Sequence, residues 1–219
     1  MYYLDILIIN EDHLPIDNDG KSAFKLLQTT LFDLIHKNIA RQNIGIGFPQ
    51  WSGNNIVNIP RLINQPDNCS NVRANNIGSI FRLFGQTNSS LVDVRFALLN
   101  SSVMENFAEF IKVNPIKTKD EQQLKIVCYT RNRQIERYLG DTNKKRVNTT
   151  NDHIRKRSIY INKISDLDIC FLATQSRSNQ NNFVLFIERK ELHPDFKNSW
   201  KFNSYGLSGV QSESYVYEW

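Results

Sequence analysis

Along the chain, apolar and polar positions change their spacing several times, and each change marks an element. Tyr3-Leu4-Asp5-Ile6-Leu7-Ile8-Ile9 alternates and then runs apolar, as a strand buried on one or both faces does, and it ends in the turn-rich Asn10-Glu11-Asp12. From Ser22 the spacing becomes Phe24, Leu27, Leu31, Leu34, Ile35. At about 100° per residue these positions form one apolar stripe of a helix, and Asp19-Gly20 stands before it as the breaker. Ile44 to Phe48 reads as the next strand, stopped by Pro49. Ile56-Val57-Asn58-Ile59 and Ile80-Phe81-Arg82-Leu83-Phe84 follow as strands. Leu91 to Val113 holds a second helical region around Val103, Phe107, Phe110 and Ile111.

This order, β-α-β-β-α-β, predicts an α+β protein whose first part, residues 1–115, is a ferredoxin-like (RRM-like) domain. The stretch from Asn64 to Asn76, dense in Asn, Asp, Pro and Ser, reads as an inserted loop. After Pro115 the polar run Lys117 to Gln123 marks the expected boundary, with a C-terminal α/β domain over 116–219. That second part holds a strand ending near Tyr129, a basic stretch, the apolar Ile169-Cys170-Phe171-Leu172, the strand Phe183-Val184-Leu185-Phe186-Ile187 and a tail rich in Tyr and Trp. No internal repeat is visible.

Composition narrows the class without identifying it. A chain of 219 residues, 40% hydrophobic and 22% charged, can bury a proper core. No run approaches the roughly 18 apolar residues of a membrane span, and the start Met1-Tyr2-Tyr3-Leu4-Asp5 lacks the basic and long apolar regions of a signal peptide, so a cytoplasmic location is expected. Cys69, Cys128 and Cys170 have no paired ligand spacing, which supports neither a disulfide framework nor a zinc site. The net charge of +5 is unevenly spread. Residues 131–157 carry nine Lys or Arg against Glu136, Asp141 and Asp152, a local +6, and the other residues sum to about −1. Cations clustered in this way are the footprint of a polyanion, although a solvated basic linker has the same composition.

Individual residues then supply candidate chemistry. His36 lies roughly 120° from the centre of the apolar stripe of its helix, at the rim beside Phe32 and Thr29, where it can reach a ligand. By itself such a histidine is more often a surface residue. Ser176 and Ser178, in Ser176-Arg177-Ser178-Asn179-Gln180-Asn181-Asn182, are turn residues when taken alone. Phe183 opens a strand that is apolar on both faces, so core packing competes there with an exposed role at the loop junction. No Asp/Glu/His cluster able to hold a catalytic metal is seen, and no cofactor motif.

The order of these pieces is more specific than any one of them. His36 on the first helix, Ile44-Gly45-Ile46-Gly47-Phe48-Pro49, the arginine cluster beginning at Arg131, the serine loop running into Phe183, and the near-terminal Tyr205-Gly206-Leu207-Ser208 occur in the sequence order of one family. The chain resembles the CRISPR repeat endoribonucleases of the type I-F class (Csy type), which cut the precursor of CRISPR RNA beside a stem-loop. The resemblance implies that His36 is the general base for an RNA 2′-hydroxyl, a role suited to histidine's unperturbed pKa near 6.5. It implies that Ser176 orients that hydroxyl, that Ser178 supports the same loop, that Phe183 stacks on the closing base pair of the stem, and that Tyr205 lies beside the catalytic pair. In Val127-Cys128-Tyr129-Thr130-Arg131-Asn132-Arg133, Arg131 takes the place of the arginine that reads a guanine edge, while Arg133 stands where the family has glutamine. An arginine-rich helix is expected next. Here Gly140-Asp141 interrupts the run and Lys144 and Lys145 replace arginines, leaving Arg137, Lys144, Lys145 and Arg146 as phosphate contacts on a short or broken helix.

The expected function is therefore a metal-independent endoribonuclease with no cofactor. It binds the CRISPR repeat stem-loop, cleaves precursor CRISPR RNA at the 3′ base of the hairpin by 2′-hydroxyl attack, and stays on the mature guide with the backbone subunits of a type I-F effector complex (Cascade). The alternative is a non-catalytic hairpin-binding subunit of such a complex.

Overall fold

A computed structural model describes residues 1–9, 23–40, 42–58, 71–111, 113–116, 124–140, 167–175, 182–193, 195–196, 198–209 and 214–219. The fold is α+β, with antiparallel sheets.

Strand β1 (Tyr2–Ile8) lies at the centre of the first sheet, which is built in the order β2-β5-β1-β6 from β2 (Gly45–Gly47), β5 (Ile80–Gly85) and β6 (Ala108–Phe110). Its alternation is explained by what covers each face. Leu4 and Ile6, opposite Leu83 and Phe81, are fully buried in one core with Leu27, Leu31, Phe32, Ile35 and Ile39 of helix α1 (Ala23–Ile39), and each such side chain contributes about 1.5–3 kcal/mol on burial. On the next position over, Asp5 receives both a 2.6 Å and a 2.7 Å bond from Arg82 across the strand pair, and the pair is shut in by the Trp219 ring, 3.6 Å from the guanidinium. Gly47 lies on the second half of the molecule: a Cβ there would meet Val216 and Tyr129 at 3.3 and 3.8 Å.

Two elements differ from the sequence expectation. The helical region placed over Leu91 to Val113 is two helices, α2 (Asn88–Leu99) and α3 (Ser102–Phe107), after which the chain turns extended as β6 with Phe110 opposite Ile6. The stretch read as a loop from Asn64 to Asn76 ends in strand β4 (Asn71–Asn76), which forms a hairpin with β3 (Ser52–Asn58); residues 59–70 lie outside the described part. In addition, β7 (Asn114–Pro115) pairs with the start of β1.

The second sheet runs β11-β8-β10-β9, from β8 (Lys125–Arg131), β9 (Ile169–Gln175), β10 (Asn182–Glu191) and β11 (Val216–Glu218). Where β8 leaves the sheet, helix α4 (Arg133–Gly140) begins. Asn132 is its N-cap: the side-chain oxygen accepts from the backbone N–H groups of Gln134 and Ile135 at 3.1 Å, and the amide donates to Glu188 at 2.8 Å. The described part of the helix runs to Gly140, and the expected interruption at Gly140-Asp141 falls at the limit of the described residues. Cys128 and Cys170 are both buried. No described helix is long and apolar enough to cross a membrane.

Candidate active site

The site is assembled from both halves, and its foundation is a tight turn near the C-terminus. Asn203 closes it by accepting, through its side-chain oxygen, from the N–H of Tyr205 and of Leu207, while its backbone carbonyl accepts from Gly206. Gly206 sits at φ +71° and gives its carbonyl to Ile46 of β2, and Ser208 donates its N–H to Tyr129 of β8. A Cβ at Gly206 would come within 2.7 Å of the Ile39 methyl, so only glycine combines this backbone with this contact. The turn is thereby pinned to both sheets, and it lays Ser204 and Tyr205 over the C-terminal end of α1.

What it covers there is His36. The imidazole is 4% exposed, and the Tyr205 ring stacks on it at 4.2 Å between centroids and 16° between planes. Phe32, one helical turn earlier, also stacks with Tyr205, its ring nearly parallel at 6.4 Å between centroids. This corrects the rim placement: the α1 stripe leaves His36 at its edge, and the C-terminal turn closes over that edge. His36 Nδ1 lies 2.6 Å from the Ser204 carbonyl oxygen. A carbonyl only accepts, so Nδ1 carries the hydrogen, and the lone pair of the neutral ring is on Nε2. The tautomer that can take a proton at Nε2 is fixed by the backbone.

The second component is Arg131, the last residue of β8. Its guanidinium Cζ is 5.6 Å from the Tyr205 ring and 5.1 Å from the Phe183 ring, both within reach of cation–π attraction. Phe183 reaches it because the β9–β10 hairpin continues past the point where β8 turns away; Phe183 pairs with Thr174, whereas Arg131 pairs with Ile187. Phe183 is half-buried against the core. Arg131 is itself occupied: its Nε and Nη2 donate to the two carboxylate oxygens of Glu136 at 2.7 Å each. The bonds to Glu136 are the largest influence on the guanidinium and, against the cost of burial, raise its pKa above the ordinary value, with Tyr205 acting in the same direction.

His36, Tyr205, Arg131 and Phe183 are thus brought together. Arg133 is apart from them, exposed on the first turn of α4. Arg137 lies on α4, its side chain outside the described residues, as are Ser176, Ser178, Lys144, Lys145 and Arg146 altogether. Ser176 follows Gln175, the last residue of β9, and Gln175 pairs with Asn182, the neighbour of Phe183. Among the described residues no group of three or more His, Cys, Asp or Glu is placed to hold a metal ion. Sequence reasoning missed three contributors. Asn132 had a readable signal, a capping residue just before a helix. Glu136 had none, since Ile135 stands at the place where a capping-box glutamate belongs. The Ser204 carbonyl, as backbone, carries no sequence signal at all.

The arrangement defines a class of site: a tautomer-fixed imidazole base stacked on a tyrosine, with a guanidinium and a second aromatic at its edge. The model of one family, the CRISPR-associated proteins Cas_Csy4, matches residues 3–212. The chain belongs to this family, the type I-F CRISPR RNA-processing endoribonucleases that its sequence resembles. None of the curated proteins compared with it matches. One solved structure, described as "Characterization of a Cas6-related gene from Pyrococcus furiosus", aligns over 99% of this chain and 98% of that chain at 10% identity with a TM-score of 0.25, a likeness too low to carry an argument.

Proposed function

We propose that the protein is a metal-independent endoribonuclease that binds a CRISPR repeat stem-loop and cuts at the 3′ base of the hairpin. The observation that carries this reading is the fixed tautomer of His36, whose Nδ1–H is held by the Ser204 carbonyl beneath the Tyr205 ring. In the mechanism, Nε2 removes the proton from the 2′-hydroxyl next to the scissile phosphate. The 2′-oxygen attacks phosphorus in line, the bond to the 5′-oxygen breaks, and the products are a 2′,3′-cyclic phosphate and a 5′-hydroxyl. Ser176, the residue after β9 in the chain, orients the attacking hydroxyl, Ser178 supports it, and Tyr205 holds the base in its plane. Positioning of this kind can supply several kcal/mol of the barrier. Phe183 stacks on the closing base pair, worth ~1–3 kcal/mol, Arg131 reads a guanine edge, Arg133 takes the position that meets the adjacent base, and Arg137, Lys144, Lys145 and Arg146 meet the stem backbone.

The sheet order β2-β5-β1-β6 with α1 and α2 as crossovers supports reading residues 1–115 as a ferredoxin-like domain, and the separate sheet of β8 to β11 supports a recognition domain over 116–219. Because the cut falls beside the hairpin, contacts to the stem survive it. The protein then remains on the 3′ end of the guide as a subunit of the effector complex.

The burial of His36 favours a second reading, a non-catalytic hairpin-binding subunit, because RNA reaches Nε2 only once the cover around it yields. One experiment separates the two. The protein is incubated with RNA carrying its cognate repeat, with EDTA and with magnesium. Equal cleavage in both to a cyclic-phosphate end supports the nuclease; tight binding without cleavage supports the second reading; a rate that needs magnesium removes the mechanism.

A further inference from the structure

The Arg131–Glu136 pair is half-buried, with side-chain exposures of 20% and 18%, and its geometry leaves part of the guanidinium unused by the carboxylate. A guanidinium has five N–H donors: one on Nε and two on each terminal nitrogen. Glu136 takes Nε–H and one hydrogen of Nη2, which is the side edge of the fork. The end edge, Nη1 with the second Nη2 hydrogen, is the other pair of parallel donors, and its spacing matches the O6 and N7 acceptors of guanine as well as it matches a carboxylate. A carboxylate on the side edge therefore does not compete with a base on the end edge. It fixes the plane and direction in which the end edge points. The same plane is bordered by Phe183 at 5.1 Å and Tyr205 at 5.6 Å, so the direction it fixes is set relative to the stacking surface and the base-bearing stack. Glu136 is carried on the first turn of α4, whose entry angle is set by the Asn132 cap and its bond to Glu188.

We propose that Glu136 is a positioning residue for specificity: it orients Arg131 to read one base and, by neutralising its charge, stops that arginine from binding phosphate indiscriminately. The inference rests on the hairpin-nuclease reading. It makes a signature that a merely structural carboxylate does not produce. Glu136→Gln removes a negative charge beside RNA and one of the two acceptors, so affinity for every RNA should hold or rise, while discrimination at the single base pair read by Arg131 should fall.

The test measures Kd for the cognate hairpin and for a panel with one base pair changed at a time, using wild type, Glu136→Gln, Glu136→Asp, Arg131→Ala and the Glu136→Gln/Arg131→Ala double variant, with thermal melts of each. Glu136→Gln is expected to lose roughly tenfold in discrimination at the pair that Arg131→Ala also relaxes. The double variant should lose no more than Arg131→Ala alone, and Glu136→Asp, which keeps the charge and the fork, should recover part of the loss. Uniform weakening across the panel, or discrimination equal to wild type, would overturn the proposal. If Glu136→Gln unfolds, Glu136→Asp decides by the same criterion. A wild-type protein that does not discriminate among hairpins would instead refute the function on which the inference stands.

Discussion

Replacing His36 with Asn separates the two ring nitrogens, and with them the structural and chemical duties of the residue. The amide nitrogen of Asn falls near the place of Nδ1 and can still donate to the Ser204 carbonyl, which lies 2.6 Å from Nδ1. Nothing in Asn falls where Nε2 is. The variant keeps a hydrogen bond worth about 1 kcal/mol and loses the stack on Tyr205, worth about 0.5–1.5 kcal/mol beyond its area. His36→Ala loses both. A protein of this length shifts its Tm by about 2–4 °C per kcal/mol, so His36→Asn should melt only a few degrees below wild type and His36→Ala a few degrees lower again. The chemistry should respond differently. A general base contributes about 10²–10⁴-fold, and both variants should lose it in full, with hairpin affinity within a few-fold because the base acts in the chemical step. Single-turnover cleavage of repeat RNA, with protein in excess, reads the rate without product release. If His36→Asn cleaves within tenfold of wild type, Nδ1 donation alone accounts for the residue and the base is elsewhere.

Gly206→Ala should damage the site from a distance: a residue at φ +71° costs about 1–2 kcal/mol without glycine's freedom, its Cβ meets Ile39 at 2.7 Å, and the cleavage rate should fall more than tenfold as Ser204 and Tyr205 shift. An unchanged rate in a folded variant would show that the turn does not set the base. With RNA in excess, product should plateau near one equivalent per protein, because stem contacts survive the cut; steady turnover through many equivalents would refute retention. Stability should fall above pH 9: burial raises the Cys170 thiol far above its ordinary value of 9.0, so the folded thiol stays neutral while the unfolded one ionises. Stabilisation from that group is complete below pH 9 and is lost by about 1.4 kcal/mol per unit above it. Lys25, whose pKa burial lowers, opposes the trend in its own window below 10.5, so the test is the difference between wild type and Cys170→Ala in urea midpoints at pH 8 and pH 10.

The elements with strong periodicity were legible in the sequence because one face or stripe of each meets the core directly. The α1 stripe and the β1 alternation are examples: Leu27, Leu31 and Ile35, and Leu4 and Ile6, are all buried as the pattern requires. Failures came where the deciding partner is remote. Phe107, Phe110 and Ile111 have the i, i+3, i+4 spacing of a helix, but the open edge of β1 offers Ala108 to Phe110 a full set of strand partners, and the tertiary pairing wins. Asn71 to Asn76 has little strand propensity and forms β4 against β3 all the same. For His36 the covering segment is 168 residues away, and a helical wheel contains nothing of it. Arg131 was legible as a candidate reader, but its carboxylate partner was legible only as a charge to be counted.

A site split between two sheets demands that their alignment be held to within fractions of an ångström, and a continuous polar network at the junction meets that demand. Trp51, just after β2, donates its indole N–H to Asp168 at 2.7 Å; Asp168 accepts from Arg189 of β10 at 3.3 Å; Arg189 donates to Glu218 of β11 at 2.6 Å; and Glu218 accepts from the hydroxyl of Tyr129 on β8. The Tyr129 hydroxyl also lies 3.4 Å from the Phe48 carbonyl, which returns the chain of bonds to the first half. Charge that is half-buried, as Arg189 and Glu218 are at 12% and 14% side-chain exposure, is a poor source of net stability because desolvation offsets the attraction, yet it is demanding about geometry, since a slip leaves it unpaired. Apolar contacts alone tolerate sliding far better. Tyr129 is two residues from Arg131 and gives its carbonyl to Ser208, so the residue that closes the network also fixes the strand that presents the guanidinium and the turn that lays Tyr205 on His36.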